Sequence, residues 1–138
     1  MTIYYANGSE TNSLTTDDLR DALQVTFEKI GNRQKVLLLP PDHTRLFSRA
    51  GELTVLCRDL LGDAVTDIMP ALGTHSAMNP DQLGHMFPGV PLDLFRPHRW
   101  RDDVVTLGEV PASYVSKVTG GVYNKPWKAQ VNRMLRDG

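Results

Sequence analysis

The sequence predicts an α/β fold, with helices layered on a mostly parallel sheet. Short apolar runs suited to strands alternate with stretches of helical periodicity, and prolines and glycines fall at the junctions between them. No repeat, low-complexity tract or linker interrupts this order, so one α/β domain over residues 1–138 is the economical expectation.

The first helix opens at Thr15 and Thr16, followed by Asp17 and Asp18, acids placed to favour the positive end of a helix dipole. Leu19, Leu23, Phe27 and Ile30 recur at helical spacing, and Gly31 is positioned to end the helix in the left-handed conformation. Lys35 to Leu39 is an apolar run closed by Pro40 and Pro41, the pattern of a strand buried on both faces. Leu53, Leu56, Cys57, Leu60 and Leu61 mark a second helix ending at Gly62, and Val65 to Met69 forms the next strand, stopped by Pro70. Asn79-Pro80-Asp81-Gln82 joins an N-cap, a proline at the first helical position and a capping-box glutamine, predicting a short helix through about Met86. Leu92 to Phe95 and Val104 to Leu107 read as strands. Val115 to Tyr123 is left open because Gly120 and Gly121 break it, and Trp127 to Leu135 reads as a helix carrying Val131, Met134 and Leu135.

The strand 36–39, the helix 51–61 and the strand 65–69 make one βαβ unit. A right-handed crossover sets its strands parallel, so the loops that follow them leave the same carboxyl edge, where open α/β sheets bind ligands. The first loop carries Asp42, His43, Thr44 and Arg45, and the second Gly73, Thr74, His75 and Ser76. Arg45 offers a planar fork of donors for a carboxylate or phosphate. Asp42 could orient that fork or accept a hydroxyl proton. His75 can take and return a proton near neutral pH. Gly73 permits close backbone approach, and the hydroxyls of Thr74 and Ser76 could hold a ligand.

Each of these residues also has an unremarkable reading. Asp42 and Arg45 could form a surface ion pair, with Asp42 capping a turn, and His75 could be satisfied by a backbone carbonyl. The shared carboxyl edge favours the functional reading for Arg45 and His75 and leaves His43 open. His85 and His98 are read as structural or solvated.

Other function classes are weaker. The net charge is −1 and charged residues are 22% of the chain, which gives no general attraction to nucleic acid or anionic lipid. The cluster Arg96, His98, Arg99 and Arg101 is followed at once by Asp102 and Asp103 and reads as a solvated loop, with a phosphate contact as the lesser alternative. The single cysteine, Cys57, falls in a helical pattern and is read as a small apolar residue. With no signal-like N-terminus or long apolar run, a cytoplasmic protein that meets no membrane is expected. The histidines lack ligand spacing and no CxxC is present, so no metal site is expected within the chain. Walker A, GxGxxG and GxSxG sequences are absent.

The ordered pair DHTR (Asp42 to Arg45) and ALGTHSAM (Ala71 to Met78), with NPDQL and RWRDDVVTLGEV after it, resembles the N-terminal domain of the lactate racemase family, from about Lys35 onward. That resemblance implies the first part of a two-domain racemase or epimerase of 2-hydroxy acids that uses a nickel-pincer nucleotide. It implies that Arg45 grips the substrate carboxylate and that His75 is one of two acid/base histidines. Asp42 and Thr44 would line the pocket of substrate and cofactor, and the backbone of Leu72, Gly73 and Thr74 would lie near the cofactor. In such enzymes a histidine takes the hydroxyl proton while hydride leaves the substrate carbon. Leu46 stands where the family has proline after DHTR, which reshapes the loop. The second histidine, the tether lysine and the nickel histidine of the family have no counterpart before Gly138. The chain is therefore expected to be inactive alone, completed by a C-terminal half or a partner subunit. The alternative is a stand-alone, non-catalytic module for a small carboxylate or phosphate.

Overall fold

The structure is a computed structural model that describes residues 2–137, and it has a mixed α/β fold. The backbone gathers into two compact units, Met1–Pro97 and His98–Gly138.

In the first unit, helix α1 spans Thr16–Ile30. Thr15 caps it, accepting from the Asp18 backbone N–H, while the Asp18 carboxylate accepts from the Thr15 N–H in return. Gly31 ends the helix with φ 81° and ψ 178°, a positive φ as expected, but with extended ψ in place of the left-handed helical value. Strand β1 (Val36–Leu38) and strand β2 (Val65–Ile68) pair in parallel around helix α2 (Ala50–Leu61), so the predicted βαβ unit forms. One expectation fails here. β1 is only half-buried, and Leu39 is 47% exposed, because β1 has β2 as its only ladder partner among the described residues.

Helix α3 (Pro80–Met86) begins as the capping signal predicts. Asn79 accepts from the Gln82 N–H, and Gln82 Oε1 accepts from the Asn79 N–H at 3.0 Å. Leu92–Leu94 is a 3₁₀ turn and not the start of a strand. Its N–H groups close back onto Pro91 and Leu92, and only Phe95 reaches the sheet, in one parallel bridge to Ile68.

The core of this unit is Val65, Ile68, Met86, Phe87 and Val90, with Leu38, Leu46, Val55, Leu83 and Phe95 packed around it. Phe87 and Phe95 meet with ring centroids 5.2 Å apart. α2 and α3 approach so closely at Gly51 that a Cβ there would lie 2.2 Å from the Met86 carbonyl oxygen. The start of α2 is tied to α1 through Glu52, which accepts from both Arg49 and the Thr16 hydroxyl. Arg49 holds a left-handed backbone (φ 61°) and also donates to the Leu14 carbonyl at 2.6 Å.

In the second unit, strand β3 (Val104–Val110) runs antiparallel to strand β4 (Trp127–Asn132), and helix α4 (Ala112–Val118) fills part of the segment left open by sequence. Gly120 and Gly121, both at positive φ, turn the chain after α4. The helix expected over Trp127 to Leu135 is overturned. Val110 pairs with Trp127 and Val104 with Asn132, and only Met134–Asp137 coils, as helix α5. Trp127, Ala129 and Val131 alternate with Lys128, Gln130 and Asn132 in the period of a strand, while Val131, Met134 and Leu135 also fit a helical spacing, and an isolated helix that short is marginal. The ladder to β3 decides the outcome. Among the described residues no helix is long and apolar enough to cross a membrane.

Replacing Gly51 by Ala should lower unfolding free energy by about 2 kcal/mol or more, since backbone must shift. Gly84→Ala, where an added Cβ meets nothing, should raise it by about 0.5–1 kcal/mol. Urea titrations compare the two. Hydrogen bonds from Arg49, then Thr16, draw the Glu52 carboxyl down from 4.5 to about 2. A lowered folded value stabilises above the unfolded value and is lost as pH falls. The stability deficit of Glu52→Gln should therefore be full above about pH 4.5 and disappear toward pH 2.

Candidate functional site

The β1–β2 pairing does not stop at the prolines. The Met69 N–H donates to Leu38 O at 2.9 Å, the Ala71 N–H donates to Pro40 O at 2.8 Å, and Pro41 and Ala71 form a further parallel bridge. The two loops therefore leave the carboxyl edge side by side, as the βαβ argument requires.

The first loop is a 3₁₀ turn over His43–Ser48, capped by Asp42, whose carboxylate accepts from the Thr44 N–H at 3.1 Å. The Thr44 hydroxyl donates to the same Oδ1 at 2.5 Å. Arg45 breaks the helical course (φ −109°, ψ 26°) and is exposed, and its guanidinium makes no hydrogen bond or ion pair among the described residues. The second loop turns at Leu72 to His75, closed by the His75 N–H donating to Leu72 O at 2.9 Å. Gly73 supplies the positive φ (57°) that this turn needs, and the space where its Cβ would stand is open.

Asp42 and His75 join the loops. The Asp42 carboxylate is 3% exposed, and its Oδ2 lies 2.5 Å from Nδ1 of His75. Burial is the largest influence on Asp42 and opposes its charge, but the hydrogen bonds from Thr44 and His75 together outweigh it, leaving the carboxyl below its ordinary value. An ionised carboxylate only accepts, so Nδ1 of His75 carries the hydrogen. In the neutral ring Nε2 is then a bare acceptor, and it has no partner among the described residues. A buried carboxylate behind a half-exposed imidazole holds the ring's orientation and stabilises the imidazolium when it forms.

This arrangement revises the expected roles. Asp42 neither orients Arg45 nor forms a surface pair with it, because its oxygens serve Thr44 and His75; it is a positioning residue and a turn cap at once. Thr44 gives its one hydroxyl hydrogen to Asp42 and can only accept from anything else. Leu72 is buried, so its backbone alone faces the loop, and Thr74 is exposed. Sequence reasoning missed a second link between the segments. Gln82 Nε2 of α3 lies 3.1 Å from Nε2 of His43. The capping-box glutamine was visible in the sequence, but not that its far end would meet His43.

Elsewhere, Arg96 is not a solvated loop residue. Its Nε pairs with Asp67 of β2 at 2.8 Å, and its Nη1 donates to the Asp93 carbonyl. Arg101 stacks over Trp100, 3.8 Å from the ring centroid. Burial pushes the Cys57 thiol up, in keeping with an apolar role and not a nucleophilic one. Among the described residues, no group of three or more His, Cys, Asp or Glu side chains could hold a metal ion.

No family model matches the chain, and no curated protein matches it at a significant level. Among solved structures it is similar to a crystal structure of a Thermotoga maritima protein determined by a structural-genomics consortium. The TM-score is 0.75 and the identity 26%, over 96% of this chain and 33% of that one. The chain thus spans about a third of the length of that neighbour.

Because the folded value of Asp42 is lowered, its contribution to stability is present above the ordinary carboxylate value and is lost as pH falls through the lowered one. Asp42→Asn should be less stable than wild type at neutral pH, with the gap closing in acid. Nitrogen-15 NMR should find the His75 hydrogen on Nδ1 in the wild type, and that preference should weaken in the variant.

Proposed function

We propose that this chain is the part of a 2-hydroxy-acid racemase or epimerase that grips the substrate carboxylate and moves the hydroxyl proton. The observation that carries the reading is the pairing of His75 with the buried Asp42, which leaves Nε2 bare beside a loop with an unengaged arginine. Arg45 can take a carboxylate by two parallel hydrogen bonds. His75 Nε2 accepts the hydroxyl proton, and the ionised Asp42 stabilises the resulting imidazolium. On return of the proton the ring is restored. The DHTR and GTHS motifs supply the family resemblance, and the adjacency of their loops supports it.

The reading includes a nickel-pincer nucleotide, which when bound supplies the acceptor for the hydride that leaves C2. The residues described here do not fit a metal-ligand set, so no step assigned to this chain runs through the metal. What the chain offers such a group is the backbone of Leu72, Gly73 and Thr74, open above Gly73. The metal ligands, the tether and the opposite acid/base group are assigned to further polypeptide, in the same chain or in a partner. The cytoplasm is the proposed location, on the ground of the single free Cys57.

In the cofactor-loaded full-length protein, Arg45→Ala should raise KM for the hydroxy acid at least tenfold, and His75→Ala should lower kcat by about 10²–10⁴. Racemisation followed by chiral chromatography measures both; turnover unchanged in either variant would sink the assignment. Binding of a hydroxy acid without any turnover of the loaded protein would favour the non-catalytic module.

A further inference from the structure

We propose that His43 is a second substrate-binding group, a neutral histidine held with its hydrogen on Nδ1 that donates to the C2 oxygen of the acid whose carboxylate Arg45 takes. The inference rests on the reading of the Arg45 and His75 site given above.

Helix α3 sets the orientation of the Gln82 carboxamide. The Asn79 N–H donates to Oε1 of Gln82, which fixes which end of the carboxamide points outward. The outward end is therefore the NH₂ group, and it lies 3.1 Å from Nε2 of His43. A carboxamide NH₂ can only donate, so Nε2 of His43 must accept, and the neutral ring carries its hydrogen on Nδ1. His43 is exposed, and no hydrogen bond uses its Nδ1 among the described residues.

The two histidines at this edge are thus set in opposite senses. Asp42 leaves His75 with a bare acceptor nitrogen, and Gln82 leaves His43 with a free N–H donor. The C2 oxygen of a 2-hydroxy acid needs both kinds of partner. As a hydroxyl it must surrender a proton to an acceptor, and as a developing oxyanion or a carbonyl it must be met by a donor. His43 and Arg45 lie one and three residues after Asp42 on the same 3₁₀ turn, whose helical course breaks at Arg45. A plain carboxylate would satisfy Arg45 and leave the exposed His43 donor to water.

The test uses the full chain with lactate and with propionate, which lacks the C2 oxygen. Nitrogen-15 NMR at mildly alkaline pH should find the His43 hydrogen on Nδ1. Gln82→Glu keeps an acceptor for the Asn79 N–H, so α3 stays capped. It presents an accepting oxygen to His43, and the hydrogen should move to Nε2. Calorimetry should show lactate bound more tightly than propionate by wild type. That preference should fall about fivefold to tenfold in both Gln82→Glu and His43→Ala, with propionate binding unchanged. A wild-type hydrogen on Nε2, or a lactate preference that survives His43→Ala, would overturn the role of His43 while leaving Arg45 intact. Equal binding of the two acids by wild type would do the same. Failure of wild type to bind either acid, or binding of both untouched by Arg45→Ala, would overturn the carboxylate reading itself and this proposal with it.

Discussion

The buried Asp42 carboxylate is the constraint on which the site depends. An ionised carboxyl that is 3% exposed is tolerated only when its oxygens are met by donors. Here the donors are the Thr44 backbone, the Thr44 hydroxyl and Nδ1 of His75. Two come from its own turn, and the third must arrive from the loop after β2. Meeting that need joins the loops, fixes the His75 tautomer and leaves one ring nitrogen free for chemistry. The carboxylate stabilises the fold at this edge through the same contact that prepares the imidazole.

That contact can form only because the scaffold delivers the loops in register. The parallel ladder runs past Pro40, which lacks an N–H yet can accept through its carbonyl, to the bridge at Ala71. Beneath the edge, Ile68, Phe87 and Phe95 close the core, and the bare Gly51 lets α2 lie against the end of α3. α3 then brings Gln82 to His43, so one short helix serves both packing and the second loop contact. The Arg49, Glu52 and Thr16 cluster holds α1 to α2 away from the site, where half-exposed ion pairs add modestly to stability.

Legibility in the sequence followed the strength of local signals. α1, α2 and α3 were readable because caps and periodicity agreed within each segment, β1 because prolines close its apolar run, and β2 because Pro70 stops it. Leu92 to Phe95 misled, since an apolar tetrapeptide after Pro91 suits a 3₁₀ turn as well as a strand. Trp127 to Asn132 misled for a different reason: Trp127, Ala129 and Val131 alternate with polar residues as a strand would, but Val131, Met134 and Leu135 also fit a helical spacing, and the ladder to Val104–Val110 of β3 separates the two. At the site, Arg45, His75 and Asp42 were legible as types placed at one sheet edge. The partner of each was not, because Asp42 meets His75 and Gln82 meets His43 across long stretches of sequence.

By itself, the sequence determined the α/β class, the βαβ unit and the two loops at its carboxyl edge. These follow from propensity, capping and chain connectivity, all of which act over a few residues or one crossover. Tertiary structure alone decided that Asp42 serves His75 and not Arg45, that Gln82 turns its donor toward His43, and that residues 127–132 pair with β3. Those outcomes depend on which polar groups best satisfy one another once buried, and such partners are available only when distant segments meet.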